Sequence, residues 1–186
     1  MTETTGTEAG LRELLASRIR DVPDYPQPGV VFKDITPLLA DPAAFSALTD
    51  ALVERCTALG ASKVAGLEAR GFILAAPVAV RAGVGFVPIR KAGKLPGEVF
   101  AQSYELEYGS AVMEVQQGAF EPGERVLLVD DVLATGGTAG AALELLRRAG
   151  AVPVGLSVLL ELGFLGGRER LGGHLDGVEL DALLTT

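Results

Sequence analysis

Apolar residues recur along this chain with two different periods, and the change of period divides it. Leu11, Leu14, Leu15 and Ile19 fall at helical spacing, which predicts a short amphipathic helix beginning near Thr7. Residues 1–10 are mostly Thr, Glu, Gly and Ala, and are expected to form a flexible tail. Between Asp21 and Gly29 three prolines and a glycine predict an irregular arm. Asp41-Pro42 reads as an N-cap followed by proline in the first turn. Behind it Phe45, Leu48, Leu52, Cys56 and Leu59 mark one face of a helix that ends at Gly60.

From there short apolar runs alternate with helical stretches. Strands are predicted over Val64–Leu67, Gly85–Ile89, Val126–Val129 and Val152–Leu160. Helices are predicted over Phe72–Arg81, closed by Gly83, and Gly137–Arg148, closed by Gly150. Such alternation implies βαβ units and a mainly parallel sheet flanked by helices, an α/β fold. Val99–Tyr104 and Ala111–Gln116 break the rhythm with a period of two, as in an antiparallel ribbon turned at Tyr108-Gly109-Ser110. That ribbon is expected to project rather than fill the core. At 186 residues the chain suits one domain over 11–186, with a small N-terminal hood over 11–40 and a flexible ribbon over 91–118.

Composition narrows the function. A hydrophobic fraction of 48% excludes a disordered chain. Sixteen basic against twenty-four acidic side chains give a net charge of −8, which argues against a nucleic-acid partner. One cysteine and one histidine exclude a disulfide framework or a metal site built from several Cys and His. Cys56 reads as buried filler, and His174 is assigned no role. No apolar stretch is long enough to span a membrane, and the first residues lack a basic start and an apolar core. No membrane partner is therefore expected, and the expected location is cytoplasmic.

The most informative segment is Val126-Leu-Leu-Val-Asp130-Asp131-Val-Leu-Ala134-Thr135-Gly136-Gly137-Thr138. Four apolar residues make a buried strand with two carboxylates at its C-terminal end, the edge where open α/β sheets bind ligands. The turn that follows leads into a helix whose first N–H groups have no internal partner. Its glycines let backbone close around an anion, the helix dipole favours negative charge, and Thr135 and Thr138 add hydroxyl donors. A phosphate monoester fits there, and a sugar diol is the natural partner for the two carboxylates. The segment has neither the lysine of a P-loop nor the spacing of a dinucleotide fingerprint. Gly66 and Gly71 have P-loop spacing, but Phe72 stands where the lysine belongs.

This segment resembles the signature of the type I phosphoribosyltransferases. Further motifs match adenine-using members of that family, in order: Pro28-Gly-Val-Val-Phe32-Lys-Asp-Ile, Gly66-Leu-Glu-Ala-Arg70-Gly-Phe, Ile89-Arg-Lys91-Ala-Gly-Lys94-Leu-Pro and Tyr104-Glu-Leu-Glu107-Tyr-Gly. The resemblance spans roughly Asp21 to Leu171. It implies the family fold and a purine salvage reaction in which adenine and 5-phosphoribosyl 1-pyrophosphate give AMP and pyrophosphate. Ala134, Thr135, Gly136, Gly137 and Thr138 then hold the 5-phosphate, and Asp130 and Asp131 the ribose hydroxyls. Glu68, Ala69 and Arg70 meet pyrophosphate, and Lys91 reaches it in the neighbouring subunit of a homodimer. Glu107 supports proton transfer at the purine imidazole, leaving Glu105 structural. Phe32 stacks on the base, the Val31 and Lys33 backbones read its edge, and Leu162 closes the other face. Mg²⁺ is expected to bind mainly through substrate oxygens, so no protein metal ligand is assigned.

Two rivals differ in testable ways. The same chemistry could act on hypoxanthine, guanine or xanthine, against which the Val-Val-Phe arm and the Tyr-Glu-Leu-Glu-Tyr-Gly ribbon argue. A non-catalytic transcriptional regulator that binds phosphoribosyl pyrophosphate should carry a basic DNA-reading domain, and this acidic chain has no room for one.

Overall fold

Three strands in this chain carry buried apolar runs, Val64–Leu67, Val126–Val129 and Val158–Leu160, and that property dictates a sheet covered on both faces. A computed structural model describes residues 3–105 and 110–186. In chain order the elements begin with α1 (Glu3–Ala16), β1 (Arg20–Pro23), β2 (Val31–Asp34), α2 (Thr36–Ala40) and α3 (Pro42–Ala58). They continue with β3 (Lys63–Leu67), α4 (Arg70–Ala82), β4 (Gly85–Lys91), β5 (Val99–Glu105), β6 (Ser110–Gln116) and β7 (Arg125–Leu133). Then follow α5 (Gly137–Arg148), β8 (Val152–Glu161), a 3-10 turn at Gly163–Leu165, α6 (Gly167–Leu171), a second 3-10 turn at Gly172–Leu175, and β9 (Glu179–Thr185).

Seven strands form one sheet in the order β5-β6-β4-β3-β7-β8-β9. From β4 to β9 the neighbours are parallel, while β6 runs antiparallel to β4, and β5 to β6. The fold is the one the sequence predicts, a mainly parallel sheet with helices. The core beneath α5 includes Ala65, Leu67, Val126, Leu128, Leu143 and Leu146, all fully buried.

The ribbon's base is part of that core. Met113 and Val115 are buried in it, Phe100 and Tyr104 pack against it, and Arg148 of α5 donates to the Ala101 carbonyl at 2.6 Å. The reason is the period-two pattern itself, which gives the ribbon one apolar face where α5 can cover it.

The chain divides into two compact units, Met1–Ala51 and Leu52–Thr186. In the first, Asp41 caps α3 as its position predicts, accepting the N–H groups of Ala43 and Ala44 at 2.9 and 3.1 Å. The Arg18 hydrogen bond and those N–H groups hold its carboxyl below the ordinary range. Two expectations fail here. Residues 1–10 do not form a tail throughout, because α1 is helical from Glu3. Nor is the arm irregular from Asp21: Arg20–Pro23 pairs antiparallel with Val31–Asp34. Proline is tolerated because Pro23 ends its strand at the edge of a two-stranded sheet.

Gly66 shows how tightly the second unit is built. A Cβ there would meet the Ala75 Cβ at 2.8 Å and the Phe86 ring at 3.0 Å, so α4 lies directly on β3. Gly66→Ala should therefore destabilise the protein by about 1–3 kcal/mol through overpacking, read by denaturant unfolding. An unchanged midpoint would contradict this packing.

Candidate active site

The sheet order sets where a ligand can sit. From β3 the chain crosses to β4 on one side, and from β7 it crosses to β8 on the other. Between β3 and β7 the winding reverses, so the turns after these two strands open side by side at a topological switch point. Gly71 makes their approach possible. A Cβ there would stand 2.9 Å from both the Asp130 Oδ1 and the Val129 carbonyl oxygen.

After β7 the backbone turns through Gly136, whose φ of +85° suits glycine, into α5. Asp130 and the Ala134–Thr138 turn line one open hollow. Gly140 N–H donates to the Gly136 carbonyl at 2.8 Å, so earlier N–H groups of α5 stay without a helical acceptor. No side-chain hydrogen bond of Thr135 or Thr138 occurs among the described residues. The residues predicted to face phosphate thus line one hollow.

The two adjacent carboxylates have different surroundings and stay within reach of each other. Asp130 is half-buried and lines the hollow, while Asp131, 6% exposed, turns to Arg70. Arg70 Nε lies 2.8 Å from Asp131 Oδ2, a coulombic contact off the hydrogen-bonding axis. Burial and the neighbouring Asp131 push the Asp130 carboxyl well above the usual carboxylate range, against the pull of the Asp131 N–H and Arg70.

In the β3–α4 turn both polar ends of Glu68 are engaged. Glu68 N–H donates to the Ile89 carbonyl at 3.0 Å, extending the ladder between β3 and β4, and is not free for an anion. Its carboxylate is occupied as well, accepting from Arg90 Nε at 3.3 Å, from the Lys91 N–H at 3.1 Å, and from Lys94 Nζ. Burial raises its carboxyl, but Lys94, the Lys91 N–H and Arg90 outweigh that and hold it below the ordinary range. Glu68 therefore organises the cationic strand end. Ala69 and Arg70 open α4, and the exposed Lys91 side chain has no ion pair among the described residues. The anchoring of Arg90 and Lys94 by Glu68 was not legible, because their spacing in the sequence says nothing about a carboxylate in the turn after β3.

Val31, Phe32 and Lys33 lie together on β2 of the first unit. Phe32 is half-buried and meets Tyr25 edge-to-face, with centroids 5.2 Å apart. Lys33 Nζ pairs with Asp21 at 2.8 Å. Leu162 caps the end of β8, and its N–H donates to the Leu133 carbonyl at 2.9 Å, which places it beside the end of β7. Glu107 and Tyr108 lie outside the described residues. Sequence reading missed Gly167, whose backbone touches the Ala134–Gly136 turn. The doubled glycine at 166–167 was the available signal.

Residues 35–169 match the phosphoribosyl transferase domain family. Adenine phosphoribosyltransferase of Streptomyces coelicolor is 69% identical over 185 residues, covering 100% of both chains. A crystal structure of adenine phosphoribosyltransferase from Rhodothermus marinus shares 47% identity at a TM-score of 0.89, covering 96% of this chain and 99% of that one. APRTase from Giardia lamblia, complexed with 9-deazaadenine, shares 40% identity at a TM-score of 0.87, covering 95% and 97%.

The state of Asp130 is testable through stability. A folded-state value above the unfolded one means that folding disfavours the ionised carboxylate. The penalty is absent below about pH 4, the unfolded value, and grows as pH rises towards the folded value. Asp130→Asn should therefore melt higher than wild type near pH 7, and the gain should vanish near pH 4. Equal melting temperatures at neutral pH would refute the assignment.

Proposed function

Since this chain belongs to the phosphoribosyl transferase domain family, we infer its reaction: adenine and 5-phosphoribosyl 1-pyrophosphate give AMP and pyrophosphate, a purine salvage step. The observation that supports this best is the switch-point juxtaposition of a glycine-rich turn, two carboxylates and Arg70. It offers donors for a phosphate, acceptors for a diol and a cation for a leaving polyanion within one edge.

In this reading the Ala134–Thr138 turn takes the 5-phosphate on backbone N–H groups and the Thr135 and Thr138 hydroxyls. Asp130 and Asp131 accept hydrogen bonds from the ribose hydroxyls. As the bond from C1 to pyrophosphate breaks, the sugar gains positive charge, which the carboxylates favour. The first peptide groups of α4 at Ala69 and Arg70, the Arg70 guanidinium, and Lys91 take up the charge of the departing pyrophosphate. Glu107 accepts the imidazole proton as adenine attacks. Phe32 stacks on the base. The outer edge of β2 is unpaired among the described strands, which suits Val31 and Lys33 as backbone readers.

Magnesium would be carried mainly by the substrate. It takes hard oxygen ligands, and the carboxylates of Asp130 and Asp131 are the ones this edge offers, with Asp131 Oδ2 free of any hydrogen bond. When bound, chiefly through substrate oxygens, it supplies positive charge against the pyrophosphate. The chain works as a homodimer in this reading. Ile73 and Val80 of α4 and Phe86 of β4 are 45%, 81% and 36% exposed, an apolar face suited to a second copy. Lys91 then serves the partner's site. The compartment assigned is the cytoplasm, which suits a single free cysteine, Cys56.

Labelled adenine, hypoxanthine and guanine, each with phosphoribosyl pyrophosphate and Mg²⁺, test the reading directly. Adenine should be converted at least roughly 10²-fold more efficiently than the others, as hydrogen-bonded discrimination allows. Comparable turnover of another purine would overturn the assignment of the base. In the same assay Glu107→Gln should lower kcat by roughly 10²- to 10⁴-fold and Glu105→Gln far less. Equal losses would remove Glu107 from proton transfer.

A further inference from the structure

The turn that faces the 5-phosphate has a wall behind it, and that wall is built from backbone. A Cβ at Gly167 would stand 2.1 Å from the Ala134 carbonyl oxygen and 3.2 Å from Gly136 N. The contact is reciprocal, since a Cβ at Gly136 would stand 2.7 Å from the Gly167 carbonyl oxygen and 3.3 Å from Leu171 Cγ. Leu171 itself is 1% exposed. The first and last residues of α6 thus press on the turn from behind, leaving no room for a side chain.

A short helix of five residues does not hold such a position by its own propensity. What fixes α6 is its second residue. Arg168 Nη2 donates to Glu161 Oε2 at 2.6 Å, and Nε to Oε1 and Oε2 at 3.0 and 3.2 Å. Nη1 reaches the Leu180 carbonyl of β9 at 3.3 Å. Glu161 is 6% exposed and ends β8, where it pairs in register with Leu133, the last residue of β7. The fork therefore closes an excursion that leaves the sheet beside the turn and returns against it. Two-point charge-assisted geometry specifies orientation as well as attraction, which a lone contact does not.

We propose that the Glu161–Arg168 fork and Gly167 form a buttress that sets the position of the Ala134–Gly137 turn, making Glu161 and Arg168 positioning residues for the 5-phosphate. The proposal rests on the phosphoribosyl reading given above. It predicts a selective defect. Displacing the buttress moves the N–H donors that face phosphate and leaves the base-binding residues of β2 as they are.

Ribose 5-phosphate, titrated calorimetrically into wild type, Gly167→Ala, Arg168→Lys and Arg168→Met, tests it together with steady-state KM values. Wild type should bind. Gly167→Ala and Arg168→Met should bind roughly tenfold more weakly, the worth of about one hydrogen bond to a charged acceptor. Arg168→Lys, which keeps the charge and loses the fork, should fall between. KM for phosphoribosyl pyrophosphate should rise in step while KM for adenine changes less than about twofold. A fork that serves only stability would lower melting temperature and active fraction without moving either KM. Folded variants that bind ribose 5-phosphate within about twofold of wild type would overturn the buttress. Should Arg168→Met fail to fold, Gly167→Ala leaves the fork's side chains intact and decides alone. If wild type itself fails to bind, the phosphoribosyl reading falls and the buttress with it.

Discussion

Two carboxylates standing next to each other at the end of a buried strand are the constraint around which this molecule is arranged. Asp130 and Asp131 lose hydration in the fold and repel one another, and the structure relieves only part of this through Arg70 and the Asp131 N–H. A fold selected for stability alone would not keep such a pair. Its presence at the reversal of the sheet's winding, beside a turn that offers unsatisfied N–H groups, is what a diol joined to a phosphate requires. The glycine at 71 belongs to the same arrangement, because any side chain there would push α4, and Arg70 with it, away from Asp130.

Charge elsewhere is organised with equal economy. In a chain of net charge −8, the cations Arg90 and Lys94 gather on the single carboxylate of Glu68, and Lys91 beside them is left exposed. A buried acid thereby orders the cationic end of β4 without ligand, and the entropy of ordering those long side chains is met within the fold rather than on binding. Backbone packing does the corresponding work on the far side of the hollow, where Gly136 and Gly167 meet without side chains.

What could be read from the residues, and what could not, follows from how far apart the interacting groups lie. β3, β7 and β8 each contain a buried apolar run, so their strand character and burial were legible, as were α5 and the Asp41 cap. The Asp130–Thr138 segment was legible because its chemistry is contiguous. The pairing of Arg20–Pro23 with β2 was hidden by Pro23 at the strand's end and by Pro26 and Pro28 in the turn beyond it, and the first turn of α1 by a composition poor in apolar residues. β9 escaped notice because it lies at the sheet's edge, and its residues are half-buried or exposed rather than sharply alternating. The Glu68 cluster and the Glu161–Arg168 fork join residues whose meeting depends on strand pairing and on an irregular excursion, and neither leaves a periodic mark.

In the proposed reaction Asp130 is poised against its neighbour until ribose hydroxyls arrive. Hydrogen bonds from a diol favour the ionised carboxylate, so binding should lower its pKa and release a proton. Calorimetric titration of ribose 5-phosphate in buffers of different ionisation enthalpy, slightly above the ordinary carboxylate range, counts that proton. Wild type should release more than Asp130→Asn, in which only the ligand's own phosphate can titrate. Equal proton release by the two proteins would contradict it.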